Sequence, residues 1–343
     1  MRFSKLALAA LFAVSSTGLV QAADTELNLY SSRHYQTDEK LYADFTAATG
    51  IKINRIEADD AGLLARLKAE GSASPADVIM MVDAARLWRA ENAGLFQPIK
   101  SAVLEERIPA SLRDKNNHWF GFSTRARVIV YNKVKVDRDT VQTYESLADP
   151  KLKGKLCTIS GAQPYNVSLF GSMLEHNGEA KTEAILAGMA ANMARSPVGG
   201  DIDQVKAVGT GECGVALSNS YYVARMFLST HPDDRNLMNK VGIVWPDQQT
   251  NGTHVNIAGA GVAKNAPHKE AAVKFLEYLA SDKAQRYFAD ANNEWPVVKS
   301  VVIDNPALKR MGGNSFKTEL INVAVIGGNQ QKVLNILDRV GYK

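Results

Sequence analysis

Two periodicities organise the chain. From Glu26 to Tyr30 apolar and polar residues alternate as in a strand, and from Thr37 the apolar positions shift to Leu41, Phe45 and Ala48, the spacing of one helix face. Thr37 is suited to cap that helix and Gly50 to end it. A strand at 51–56, a helix through Leu63, Leu64 and Leu67 that stops near Gly71, and a strand at 76–82 come next, and Asp83 can cap a helix carrying Leu87 and Trp88. Strands and helices in strict alternation predict a parallel, doubly wound sheet. The extended run 118–132 is long enough to leave one domain and enter another. A second alternating series follows, with a strand around Cys157, the turn Ser160-Gly-Ala-Gln-Pro-Tyr165, helices at 166–176, 179–193 and 202–208, and an apolar strand from Cys213. Another long extended run, 252–263, would return the chain to the first domain, ahead of a helix whose apolar face is Ala272, Phe275, Leu276 and Leu279. After the turn 292–296 two short helical stretches are expected, and the fold class is α/β.

Composition narrows the class. The chain has 343 residues, 45% of them hydrophobic, enough to build two domains of ordinary size. Residues 1–22 have a basic start (Arg2, Lys5), an apolar run from Leu6 to Val14 and a small-residue exit at Val20-Gln21-Ala22, the pattern of a cleavable signal peptide. The apolar run is too short for a membrane span and is interrupted by Ser15, Ser16 and Thr17. The mature protein is therefore expected to be exported and soluble, and no cysteine follows the cleavage site to carry a lipid anchor. A formal charge of +4, two units of which leave with the leader, is too mild to suggest nucleic acid. Cys157 and Cys213 are the only cysteines, each in an apolar run. In an oxidising compartment they are expected to pair, the alternative being two buried thiols, and they form neither a redox motif nor a zinc cluster.

The candidate chemistry lies at the end of the strand after Cys213. A strand rich in Val, Leu and Ala runs into Ser218-Asn219-Ser220, and Tyr221 and Tyr222 open the next helix. Ligands of such sheets bind beyond the carboxyl ends of the strands. Adjacent helical side chains diverge by about 100°, so one phenol could pack while the other is solvated, or both could meet one small ion. His118, His176, His231, His254 and His268 are scattered without metal-ligand spacing, and Trp119, Trp245 and Trp295 suit packing between elements. No nucleophile elbow, phosphate loop or Ser, His and Asp arrangement supports an enzyme.

Five segments taken in order, Tyr30-Ser-Ser-Arg-His-Tyr35, Ser74-Pro-Ala-Asp-Val78, Ser123-Thr-Arg-Ala-Arg-Val128, Ser160-Gly-Ala-Gln-Pro-Tyr165 and Asn219-Ser-Tyr-Tyr222, resemble the periplasmic ferric-iron-binding proteins of bacterial ABC importers, in particular their tyrosine-rich, iron-deficiency-induced branch. The resemblance spans essentially the whole mature chain. It implies the type II periplasmic binding protein fold, two doubly wound α/β lobes joined by crossover strands, here 23–122 plus 256–298 and 123–255 plus 299–343. It implies Tyr35, Tyr165, Tyr221 and Tyr222 as metal ligands, with His34 as a fifth. Arg125 and Arg225 match positions thought to offset the charge of the tyrosinates. Ser160 and Asn219, with Gly161 and Ala162, match an anion-binding turn of a sister branch. The glutamate that completes that sister site falls near Val82 here, and Tyr165 stands just beyond the turn, so tyrosinates are expected to fill the coordination sphere without an obligatory anion.

The inorganic chemistry agrees with the resemblance. Fe(3+) is small and hard and favours anionic oxygen, which phenolate supplies, with Fe(2+) left open as a second cargo. The implied partners are an inner-membrane ABC permease with its ATPase and ferric iron or a ferric chelate; the protein itself would be a periplasmic monomer and not an enzyme. The rival reading keeps the fold and exchanges the cargo for a small organic or anionic solute such as a polyamine, thiamine or a phosphonate. Those solutes would call for carboxylates around a cation, or hydroxyl and amide donors around an anion.

Overall fold

The computed structural model describes residues 25–33 and 35–343, so the signal peptide and His34 lie outside the described residues. Nine strands form one continuous mixed sheet: β1 (Glu26–Ser31), β2 (Lys52–Glu57), β3 (Val78–Val82), β4 (Phe120–Asn132), β5 (Leu156–Cys157), β6 (Val215–Asn219), β7 (Val241–Val244), β8 (Val255–Val262) and β9 (Trp295–Pro296). Its order is β2-β1-β3-β8-β4-β6-β5, with β7 and β9 also paired to β4. In the first half of the chain the helices are α1 (Asp38–Thr49), α2 (Asp60–Glu70), α3 (Ala84–Asn92), α4 (Ala102–Arg107), α5 (Pro164–Asn177) and α6 (Glu179–Ala191). The rest are α7 (Asp201–Thr210), α8 (Ser220–Leu228), α9 (Pro232–Lys240), α10 (Lys269–Leu279), α11 (Asp282–Asn292), α12 (Pro306–Arg310), α13 (Val323–Gly328) and α14 (Gln330–Val340). None of the described helices is long and apolar enough to cross a membrane.

The molecule consists of two α/β lobes, and β4 belongs to both. The N-terminal half of β4, from Phe120 to Ala126, pairs antiparallel with β8, while Arg127 to Tyr131 pairs with β6. Parallel pairing joins β2, β1 and β3 in the first lobe and β5 and β6 in the second, as the alternating pattern predicts, but β8 joins β3 antiparallel, so the sheet is mixed. The cause is topological: a strand returning from the second lobe enters the first lobe's sheet from the opposite end.

Both faces of the sheet are covered around its inner strands, so β3, β6 and β8 are buried along their whole length, while the edge strand β2 stays half exposed. In the first lobe Leu27, Leu29, Phe45 and Phe275 pack on one face and Tyr30, Leu63, Leu87 and Trp119 on the other. In the second lobe Ile129, Leu217, Phe170 and Leu186 belong to the core on one face and Val128, Val130, Ala216 and Val223 to the core on the other. Cys157 and Cys213 form a disulfide between the end of β5 and the approach to β6, with Cα atoms 5.9 Å apart. Three helices rather than two follow β9, and α13 packs against α3, where Gly327 lets the backbone lie on Trp88.

Two caps behave differently from one another. Asp83 caps α3 as expected, accepting from the Ala85 N–H at 2.9 Å, but does so with φ of 101°. It also accepts from Ser168 Oγ of α5 at 2.8 Å and from Asn256 Nδ2 of β8 at 2.9 Å, tying the two lobes and the crossover strand together. Thr37 does not cap α1. It is already in helical conformation, and its hydroxyl is turned to Asn292. The adjacent Asp38 is instead bound to Arg33, which fixes the entry into α1 from the other side.

Candidate metal centre

One turn and two helix starts deliver the tyrosines. Tyr35 stands on the turn between β1 and α1, half-buried, with the Arg33 guanidinium 4.5 Å over its ring. Tyr165 lies in the first turn of α5, where Pro164 occupies a position that needs no N–H partner. Tyr221 and Tyr222 lie in the first turn of α8, just past the end of β6. Tyr221 is buried and Tyr222 half-buried. Their ring centroids are 4.2 Å apart, and Tyr221 Oη donates to Tyr165 Oη at 3.5 Å. The adjacent phenols therefore do not diverge into core and solvent.

Arg225, exposed and one turn further along α8, lies 5.7 Å from the Tyr35 ring, 5.3 Å from Tyr221 and 5.6 Å from Tyr222. One cation thus spans aromatic rings from both lobes. Arg125 sits at the midpoint of β4, 1% exposed, and neither Nη1 nor Nη2 has a hydrogen-bond partner among the described residues. Its charge is felt by Tyr35 and Tyr221. A buried guanidinium with both amino groups unused is costly unless an anion faces it, and tyrosinates would be such anions.

Burial favours the neutral form of Tyr35, Tyr221 and Tyr222. It raises Tyr35 above the usual tyrosine value, aided by the negative charge of Glu294, and raises Tyr221 far more. Tyr222 is pushed up to about 12, first by burial and then by its proximity to Tyr165. At neutral pH Tyr35, Tyr221 and Tyr222 hold their protons until something replaces them.

The Ser160 turn is occupied by the chain itself. Gly161 N–H donates to the Lys343 carbonyl at 2.8 Å, Ala162 N–H reaches Ser160 Oγ at 3.3 Å, and Gly161 lies against the Tyr342 ring. Asn219 is buried with Oδ1 accepting from Arg127 at 3.3 Å, and its Nδ2 has no partner among the described residues. Val82 is a core residue of β3, 4% exposed, so no side-chain carboxylate stands at that position.

Sequence reasoning did not single out Arg33, Arg127, Asp201 or Glu294, all buried near the tyrosines. Arg33 and Arg127 do lie inside the quoted segments, and the mark that could have exposed Arg127 is its alternation with Ser123 and Arg125 on one strand, charged residues where a core strand should be apolar. Most of the described histidines have carboxylate partners elsewhere: His118 with Asp114, His176 and His254 with Glu319, and His268 with Asp77. Trp119 and Trp295 are buried packing residues.

A family model described as bacterial extracellular solute-binding protein matches residues 40–311. The chain belongs to that family, on the branch that holds the ferric-iron-binding proteins. It is 46% identical to iron uptake protein A1 of Synechocystis over 318 residues, 93% of this chain and 88% of that protein. The structure of a Trichodesmium member, IdiA (FutA) in complex with iron and citrate, superposes with a TM-score of 0.89 at 50% identity, covering 93% of this chain and all of that one. The ferric binding protein from Campylobacter jejuni superposes at 0.85 with 38% identity, covering 92% of this chain and 100% of that one. These family members are binding and uptake proteins, not enzymes, and their shared architecture is the two-lobed type II periplasmic binding fold.

Proposed function

We propose that the protein captures ferric iron in the periplasm by closing two lobes over it, and surrenders it to an ABC permease for uptake. Tyr35 of the first lobe and Tyr165, Tyr221 and Tyr222 of the second are the tyrosinate ligands, with His34 as a fifth donor. The observation that carries this reading is the convergence of four phenols from three separate segments: Tyr221 Oη lies 3.5 Å from Tyr165 Oη, Tyr222 packs on Tyr221, and Arg225 links them to Tyr35. Phenolate is the donor a small trivalent ion prefers. Closure is driven because the ion bonds to both lobes at once, which an open conformation could not match.

Arg125 and Arg225 balance the negative charge of four tyrosinates. The two unused amino groups of Arg125 would also take a carboxylate, so a ferric chelate could enter as cargo without an anion bound on the Ser160 turn. A polyamine, thiamine or phosphonate is less well served, since the cleft offers phenols and guanidinium groups where those solutes need carboxylates or an array of neutral donors.

Protons are the simplest readout. Burial raises Tyr221 and Tyr222 above the ordinary tyrosine value, and every tyrosine that binds iron as phenolate must release one proton. Loading the purified mature protein from ferric citrate in weakly buffered solution should release close to one proton per coordinating tyrosine once the protons rebound by the freed citrate are added back, and affinity should fall as pH is lowered. Uptake of iron with no proton release would overturn the tyrosinate assignment.

A further inference from the structure

Arg127 and Asp201 form a buried ion pair, 1% and 3% exposed, that has no hydrogen bond to a candidate tyrosine ligand among the described residues yet reaches every segment that carries the second lobe's tyrosines. Arg127 lies on β4 opposite Asn219 of β6. Its Nη1 donates to Asp201 Oδ2 at 2.5 Å and to Asn219 Oδ1 at 3.3 Å, and its Nη2 donates to Asn166 Oδ1 at 2.9 Å. Asn166 follows Tyr165 directly and binds the turn before it, donating through Nδ2 to the carbonyls of Ile159 and Ser160, each at 3.1 Å. Asn219 is the residue before α8, and its N–H donates to Asp201 Oδ2 at 2.7 Å. Ser220 Oγ accepts from Ala126 N–H at 3.1 Å, fixing the same helix start to the same strand.

We propose that Arg127, held by Asp201, is the positioning residue that aims Tyr165, Tyr221 and Tyr222 at a common point. The inference rests on the tyrosine reading of the site and extends it to a residue that binds no iron. Two physical arguments support it. The pair is a poor device for stability, because Arg127 Nε and Asp201 Oδ1 have no hydrogen-bond partner among the described residues, and a buried pair with unused atoms gains less than it loses on leaving water. What the pair does supply is a planar fork whose two arms hold two separate segments at a fixed spacing, a task an ammonium group cannot reproduce. Ligands from α5 and α8 must converge within a few tenths of an ångström to share one ion, and the guanidinium is the group common to both.

The test uses the mature protein and two variants. Arg127→Met combined with Asp201→Asn removes both charges while keeping an acceptor for the Asn219 N–H, and Arg127→Lys keeps the charge but not the fork. Three quantities are read: the melting temperature without iron, the ferric affinity in competition with citrate, and the position of the visible absorption of the iron-loaded form. The expected result is a melting temperature within a few degrees of wild type for at least Arg127→Lys. Affinity should fall tenfold or more in both variants and the visible band should shift, with Lys failing to restore either. A folded Arg127→Lys protein with wild-type affinity and an unmoved band would overturn the proposal, whatever the double variant does. If the wild-type protein itself took up no ferric iron, the proposed function would fail and this inference with it; a coloured wild type beside an equally coloured variant sinks only the role of Arg127.

Discussion

Tyr221 is the residue with the most to lose by being where it is. It is 1% exposed, and burial lifts its pKa well above the ordinary tyrosine value, so it neither ionises readily nor reaches water. A phenol in that state suits a core only if its hydroxyl finds a partner, and the partner is another phenol, Tyr165. Tyr222, half-buried and raised to about 12, carries less of the packing and as much of the chemistry. Tyr222→Phe removes one oxygen and little volume. The expected outcome is a loss of ferric affinity of at least a hundredfold, measured against citrate, with the iron-free melting temperature changed by no more than about 3 °C. An unchanged affinity would remove Tyr222 from the ligand set.

At the scale of elements, strands and helices were legible because their signals are local: alternation in β1, the face through Leu41 and Phe45 in α1, Asp83 before α3 and the glycine after α1. The missed elements are those with weak or short signals. Helix α4 has six residues, α9 has a polar surface with only Met238 buried, and the β7 strand of four residues is recognisable only from its pairing with β4. The tyrosines were legible as a set through resemblance, but their convergence was not, since it depends on Arg127 and Asn166, which meet across 39 residues of sequence. Segment 312–322 is a further case of a contact invisible to periodicity: Glu319 accepts from Ser172 and His176 of α5 and from His254 at the entry to β8. Burial alone would raise its pKa, yet His254, His176 and Ser172 hold the carboxyl down to about 2. A carboxylate whose folded pKa lies below its unfolded one adds stability above the unfolded value and gives it up as pH falls toward the folded value. Wild type should therefore lose up to about 3 kcal/mol from this group between about pH 4.5 and pH 2. Glu319→Gln should be the less stable protein at pH 7, with the gap closing through that window. Parallel unfolding curves at every pH would show that the carboxylate contributes nothing.

At the scale of the whole molecule, β4 is the common structural member. Ser123 at its start donates to Glu294 at 2.8 Å, and Glu294 in turn accepts from Arg33 at 2.9 Å beneath Tyr35. Arg125 faces the tyrosines with its amino groups unused, and Arg127 holds the second lobe's segments. One strand thus presents three polar residues at alternate positions, the first serving one lobe, the last the other, and the middle one the space between them. Arg225 over rings of both lobes shows how near the two sides stand. The central claim, that this space is built for ferric iron, is tested most directly by the visible spectrum of the purified mature protein at neutral pH, before and after ferric citrate and again after acidification. The account predicts a broad visible band that appears with iron, disappears in acid, and is lost when Tyr221 and Tyr222 are both replaced by phenylalanine. A protein that stays colourless with ferric citrate, or that keeps its colour without those two tyrosines, would contradict it.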